Sequence, residues 1–286
     1  MDNPIIVALD LPSPQKALKL AGELSPLVGA FKVGKQLFTS GGPDVVRKLR
    51  ATGARVFLDL KLHDIPNTVA KAVIAATDLG VQMTTVHASG GSGMLAAAEN
   101  AAHEQAAMLR AEAPLVLGVT VLTSMDDDNL AELGIGDSVQ EQVLRLAKLA
   151  TNAGLRGLVC SPQEIEMLRA ELGDGVQLVT PGIRPASSKD DDQKRTMTPA
   201  EAIQAGANWL VIGRPITGAA DPKAAAIGIL HSINPELVPE GERREPIPEI
   251  VDCAECGQSL KLDATEQATG RYHCPHCDKD VEHKTG

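Results

Sequence analysis

The chain has 286 residues, 43% of them apolar, and a formal net charge of −10. Its core must be aliphatic, because the whole chain holds only three Phe, one Trp and one Tyr. The acidic balance argues against nucleic acid or an anionic membrane as partner. No apolar run approaches the roughly 20 residues that span a bilayer. An anionic small-molecule substrate is not excluded, since a site can be locally basic.

Taken in chain order, short aliphatic runs alternate with helical segments. No basic segment followed by an apolar stretch opens the chain, so no secretory signal is expected. The strand-like runs are PIIVALD (4–10), AFKVG (30–34), ARVFLDL (54–60), VQMTTVHA (81–88), PLVLGVT (114–120), RGLVCS (156–161), GVQLVTPG (175–182) and NWLVIG (208–213). Helix starts are signalled by Ser13-Pro14, by Pro66 and Asn67, by Ser138, by Ser161-Pro162 and by Thr198-Pro199. A small polar N-cap with proline at the first helical position is the expected punctuation. Strands apolar on both faces, alternating with helices, imply a parallel sheet covered on its outside. Eight such units predict an α/β fold of the (β/α)8 TIM-barrel type, with functional groups just after the strands. No GxGxxG follows the first strand, which weakens a dinucleotide-binding alternative.

The strand ends collect Asp10, Lys32, Asp59, Lys61, Asp64, His87, Thr120, Thr123, Ser124, Ser161, Arg184, Gly213 and Arg214. In FLDLKLHD the strand period of two puts Asp59 and Lys61 on one face and Leu60 and Leu62 on the other. At a barrel mouth those two would converge with Asp10 and Lys32 into a coupled charge network suited to proton transfer by lysine. The plainer alternative is a structural ion pair at a strand end. VIGRPIT (211–217) suits a phosphate, with backbone approaching at Gly213 and the Arg214 guanidinium forking onto oxygens. The polar stretch SSKDDDQKR (187–195) is a lid candidate, or else a surface excursion. His87 either lines the site or fills the strand end.

After His231 the pattern changes. Residues 234–250 hold four prolines and many charges and read as a linker between a barrel over 1–233 and a second unit over 251–286. In that unit Cys253-x2-Cys256 and Cys274-x2-Cys277 are separated by 17 residues. This is a zinc-ribbon pattern, in which metal supplies the folding energy of a unit too small for a core. Redox dithiols are the alternative. Clustered thiols with no disulfide framework imply a reducing, cytoplasmic compartment. The unit carries seven acidic and four basic side chains, which disfavours nucleic acid. A clamp on the barrel, an oligomer contact or a protein-interaction module remain for it. A chain acting mainly as a zinc-dependent interaction protein on a retired barrel is argued against by the intact strand-end set.

DLKLHDIPNT, VHASGG, VLTSM, VTPGIRP, DDQKR and VIGRPIT, in this order, resemble the orotidine 5′-phosphate decarboxylase family from residue 4 to about 230. The resemblance implies a homodimeric barrel that turns orotidine 5′-phosphate into UMP and carbon dioxide without metal or organic cofactor. It implies that Lys61 is the general acid at C6 and that Asp59 lies beside the substrate carboxylate. Asp64 would enter the partner's site and complete a charge set with Lys32. Asp10, Lys32 and Thr68 would hold the ribose, Thr123 and Ser124 the pyrimidine edge, and Gln193, Gly213 and Arg214 the phosphate, with Arg184 nearby. Sugar-phosphate enzymes sharing D-x-K-x-x-D, which depend on a metal, are the near alternative; VLTSM and DDQKR favour the orotidylate reading. The tail departs from the family.

Overall fold

The computed structural model describes residues 3–185, 196–243, 249–262 and 264–282. Eight parallel strands close into one barrel in chain order: β1 Ile5–Ala8, β2 Ala30–Gly34, β3 Val56–Leu62, β4 Met83–His87, β5 Leu115–Val119, β6 Gly157–Val159, β7 Gln177–Pro181 and β8 Trp209–Ile212. Between them run α1 Pro14–Leu24, α2 Lys35–Ala51, α3 Pro66–Asp78, α4 Ser92–Leu109, α5 Asp127–Glu132, α6 Val139–Asn152, α7 Ile165–Leu172 and α8 Pro199–Gln204; α9 Arg214–Thr217 and α10 Pro222–Ile233 follow β8. The fold is a TIM barrel. Each predicted run contains its strand, except that β3 continues two residues beyond Leu60 and carries Lys61 within the strand.

Local chemistry sets the helix starts. Ser13 accepts from the Lys16 N–H, and Ser138 with Glu141 and Thr198 with Glu201 form reciprocal capping boxes. Two expectations shift. Asn67 is inside α3 rather than capping it: Ile65 is the N-cap and Pro66 takes the first position, where its missing N–H costs nothing. Ser161-Pro162 opens a 3-10 turn over Pro162–Glu164, closed by the Glu164 carboxylate on the Ser161 N–H at 2.8 Å, and α7 begins only at Ile165.

The strand period of two separates two cores. Ile6, Ala8, Ala30, Phe57, Met83, Leu117, Val179 and Val211 pack inside the barrel. Ile5, Val7, Phe31, Val33, Leu58 and their neighbours pack outward against the helices. Going up the inner face by two residues, Ala8 leads to Asp10, Ala30 to Lys32 and Phe57 to Asp59. The apolar plug therefore ends where the charged set begins. Cys160 is fully buried, which pushes its thiol up to about 12, so it is packing rather than chemistry.

Past α10, the proline-rich stretch forms 3-10 turns at Pro235–Leu237 and Glu240–Glu242 and buries Val238 in the outer core. Two antiparallel hairpins follow, β9 Ile250–Asp252 with β10 Ser259–Lys261 and β11 Arg271–Cys274 with β12 Lys279–Glu282, with α11 Ala264–Thr269 between them. No described helix is long and apolar enough to cross a membrane.

Candidate active site and cysteine cluster

At the C-terminal mouth of the barrel lies a cavity of about 520 Å³. That volume suits a nucleotide-sized ligand. Its charged lining is Asp10, Lys32, Asp59, Lys61, Arg184 and Arg214, four cations against two carboxylates. The site is thus net positive in a chain of net charge −10.

Four of these groups form an alternating chain. Lys32 Nζ donates to Asp10 Oδ1 at 2.9 Å and lies 3.7 Å from Asp59 Oδ2. Lys61 Nζ reaches both Asp59 oxygens, at 2.8 and 2.7 Å. Asp59 and Lys32 are buried, whereas Asp10 opens to solvent. Burial pushes the Asp59 carboxyl up, but the Lys61 and Lys32 ammonium groups and the hydrogen bonds from Lys61 and Thr85 outweigh it and hold it below the usual carboxylate range.

Lys61 owes its aim to a backbone irregularity. Between the pairings Leu58 with Thr84 and Leu62 with Val86, β3 advances four residues while β4 advances two. Within that bulge Lys61 sits at φ 51°, a left-handed conformation uncommon for a lysine. Its N–H donates to Thr85 Oγ1 at 2.8 Å, and Thr85 Oγ1 donates to Asp59 Oδ1 at 3.0 Å. One buried hydroxyl therefore ties the strained backbone to the carboxylate that the Lys61 side chain grips. The face assignment read from the sequence holds: Phe57, Asp59 and Lys61 line the cavity, while Leu58, Leu60 and Leu62 face a separate apolar cleft beneath α2 and α3.

Two contributors escaped the sequence reading. Thr85 lies two residues above Met83 on the inner face, so the rule that finds Asp59 above Phe57 also finds it. Gly34 follows Lys32 at the end of β2, and a Cβ there would stand 2.8 Å from Asp10 Oδ1 and 2.9 Å from Lys32 Nζ. The missing side chain leaves room for that ion pair.

The other predicted residues divide. Thr123, Arg184, Gly213 and Arg214 line the cavity. Ser124, Asp64 and Thr68 are exposed and do not line it. The Asp64 carboxylate accepts from its neighbour's N–H, that of Ile65, at 2.6 Å. Gln193 and the stretch 187–195 lie outside the described residues. His87 does not line the cavity; it packs against His63 with ring centroids 5.5 Å apart. Burial and the neighbouring His63, Lys61 and Lys35 lower its pKa.

Residues 3–229 match the family model described as Orotidine 5'-phosphate decarboxylase / HUMPS family. The chain belongs to this family. It is 52% identical over 237 residues to the orotidine 5'-phosphate decarboxylase of Vibrio campbellii, covering 83% of this chain and 98% of that protein. Identity to the protein of that name from Moorella thermoacetica is 54% over 230 residues, 80% of this chain and 91% of the relative. Among solved structures, the orotidine 5'-phosphate decarboxylase of Lactobacillus acidophilus superposes with a TM-score of 0.72 at 43% identity, covering 82% of this chain and all of that one. The match to the orotidine 5'-phosphate decarboxylase / HUMPS family ends ahead of the four clustered cysteines.

Those cysteines converge. The sulfurs of Cys253, Cys256, Cys274 and Cys277 all lie within 4.8 Å of one another, with Cys253 to Cys277 at 3.9 Å and Cys256 to Cys274 at 3.6 Å. Four sulfurs at about 2.3 Å from a tetrahedral zinc stand about 3.8 Å apart, so the set fits that ion. The thiols share their protons: burial raises Cys274, but backbone N–H groups of Cys277 and His276 and the neighbouring thiols outweigh it and lower it, while Cys256 and Cys277 are raised.

Two outcomes test the geometry. Thr85→Val leaves the Lys61 N–H without its partner and is expected to cost about 1–3 kcal/mol in urea denaturation, with Thr85→Ser recovering most of it. The depressed pKa of Asp59 makes its ionised form stabilising above the unfolded carboxylate range, and this contribution is lost as pH falls through the folded pKa. The stability gap between wild type and Asp59→Asn should therefore shrink as denaturation is repeated at progressively lower pH. A gap independent of pH would refute it.

Proposed function

We propose that the chain decarboxylates orotidine 5′-phosphate to UMP, with Lys61 as the proton donor at C6. The alternating chain Asp10, Lys32, Asp59, Lys61 at the barrel mouth carries this reading. As the C6 carboxylate leaves as carbon dioxide, its bonding electron pair stays on C6, where the ring offers little delocalisation. A fixed ammonium aimed at that carbon stabilises the developing charge and then transfers its proton. Asp59 orients the Lys61 ammonium through both of its oxygens, and Asp10 with Lys32 is placed to hold ribose hydroxyls. Thr123 would meet the pyrimidine edge, with Ser124 closing from the exposed loop. Arg184, Gly213 and Arg214 would take the phosphate together with Gln193. Phosphate binding far from C6 lets remote binding energy lower the barrier.

The chemistry needs no cofactor. VLTSM and DDQKR favour this route over the metal-dependent sugar-phosphate one, and both Asp59 oxygens are engaged by ammonium groups. Asp64 and Thr68 belong, in this reading, to the neighbouring subunit's site in a homodimer. Their exposure in the run 63–68, around an Ile65 that is 66% exposed, supports a surface made to be covered. The cysteine cluster would hold a structural zinc in a unit over 251–286, joined by 234–250 to the barrel of 1–233. The acidic chain and unpaired thiol set support a cytoplasmic protein without a nucleic-acid or membrane partner.

Wild type should deplete orotidylate absorbance equally with and without EDTA, and Lys61→Ala should lose at least about 10³-fold in kcat. Persistent turnover in Lys61→Ala would sink the mechanism. Mixing inactive Lys61→Ala and Asp64→Asn chains should restore activity, because one of the two sites in a mixed dimer then receives both native residues. No recovery after subunit exchange would place Asp64 outside the partner's site.

A further inference from the structure

A helix on the outside of a barrel normally has a polar outer face. α1 and α6 follow this rule: their buried residues recur at helical spacing, with Lys16, Lys19 and Glu23 or Glu141 and Lys148 turned outward. α10 does not. Its sequence PKAAAIGILHSI has one charged residue, in its first turn, and Ala226 to Leu230 are five consecutive buried positions. Five in a row cover more than one full turn, so the helix is enclosed on every side. The barrel supplies one side. The cysteine-bearing unit supplies the other, with α11 packed along α10.

The contacts at the start of α10 are polar and specific. Asp221 Oδ1 caps the helix by accepting from the Ala224 N–H at 2.9 Å, while its Oδ2 meets Arg271 Nη1 at 3.2 Å. Arg271 opens β11, the strand that ends in Cys274, and also pairs with Glu282 across the hairpin. Lys223 Nζ bonds Glu242 Oε1 at 2.6 Å, pinning the connecting segment to the same end of α10. Ala224, Ile227 and Thr269 line the seam between the two units. Thus the strand that ends in one of the four clustered cysteines also carries the cation that engages the cap of the last barrel helix.

We propose that the C-terminal unit is an intramolecular clamp whose partner is α10, so that metal held by the four cysteines stabilises the barrel. This rests on the zinc reading of the cluster and not on the decarboxylase reading. Its small core, Val251, Leu260, Leu262, Tyr272 and Val281 with two of the cysteines, is too small to hold shape alone. Without metal the unit lets go of α10, and the apolar outer face of that helix meets water.

Trp209, the only tryptophan, sits in β8 and reports the barrel alone. Metal is quantified on the full chain, then removed with chelator, and the Trp209 fluorescence melt and binding of an apolar dye are compared before removal, after removal and after adding Zn²⁺ back. The clamp predicts a melt about 5 °C or more lower after removal, increased dye binding, and reversal of both by Zn²⁺. Ala224→Glu puts a carboxylate into the seam facing Glu242, and Arg271→Ala removes the cap contact. Each should retain full metal, lower the Trp209 midpoint and shrink the further effect of chelation. An unchanged midpoint after verified metal removal would overturn the clamp, as would chelation effects of equal size in wild type and both variants. A full chain that never binds Zn²⁺ would instead overturn the zinc reading, while a lowered midpoint in Ala224→Glu would still support the docking of the unit on α10.

Discussion

One buried carboxylate organises the mouth of this barrel. Asp59 stands between two ammonium groups, and each needs it: Lys32 is buried, and Lys61 sits on a backbone in left-handed conformation. Desolvating three charges is unfavourable, and it is offset only because every charge finds an opposite one within a hydrogen-bond length or little more. The Asp59 hydrogen bonds use both oxygens, and Asp10 extends the alternation toward solvent. In the proposed reaction these mutually paired groups would meet the condition for electrostatic stabilisation of a charge that develops later.

The barrel makes this possible by a parity argument. Inner-facing residues come every second position, so an apolar plug of Ala8, Ala30, Phe57 and Met83 is followed, one step up each strand, by Asp10, Lys32, Asp59 and Thr85. The bulge in β3 inserts extra residues against β4, and the buried Thr85 hydroxyl satisfies the freed Lys61 N–H. The buried plug shields the charged layer above it on one side, and the cavity lining is net positive.

Much of this was legible in the sequence because it depends on local rules. The eight strands follow from aliphatic runs of the right length, and the helix starts at Ser13, Ser138 and Thr198 from side chains that satisfy orphan N–H groups. Asp59 and Lys61 announced themselves as charge where a buried strand should be apolar. Asn67 misled because proline one position earlier had already taken the helix start. Thr85 is turned inward by the same period of two, but a threonine in a strand is unremarkable by composition, and its pairing with Asp59 follows only from the register of β4 against β3. Gly34 is not apparent for a similar reason, since the space it leaves is defined by Lys32 of its own strand together with Asp10, which follows β1. Bulges and close approaches are properties of pairs of strands, and a single chain of letters does not state its pairing.

α10 shows the converse, a feature written in the sequence whose meaning needs the fold. AAAIGIL reads as an ordinary buried helix until topology places it on the outside of a barrel, where one face must be polar or covered. The linker's turns at Pro235 and Glu240 and the salt bridge of Lys223 to Glu242 lead the chain back over that helix rather than away from it. The small unit that carries the four clustered cysteines is then set against an uninterrupted apolar run of the last barrel helix. Under the proposed clamp, exposing that surface is unfavourable for the barrel, and losing the metal would be unfavourable for the small unit. The two costs meet at Arg271 and Asp221, so neither part is expected to keep its full stability when the other is lost.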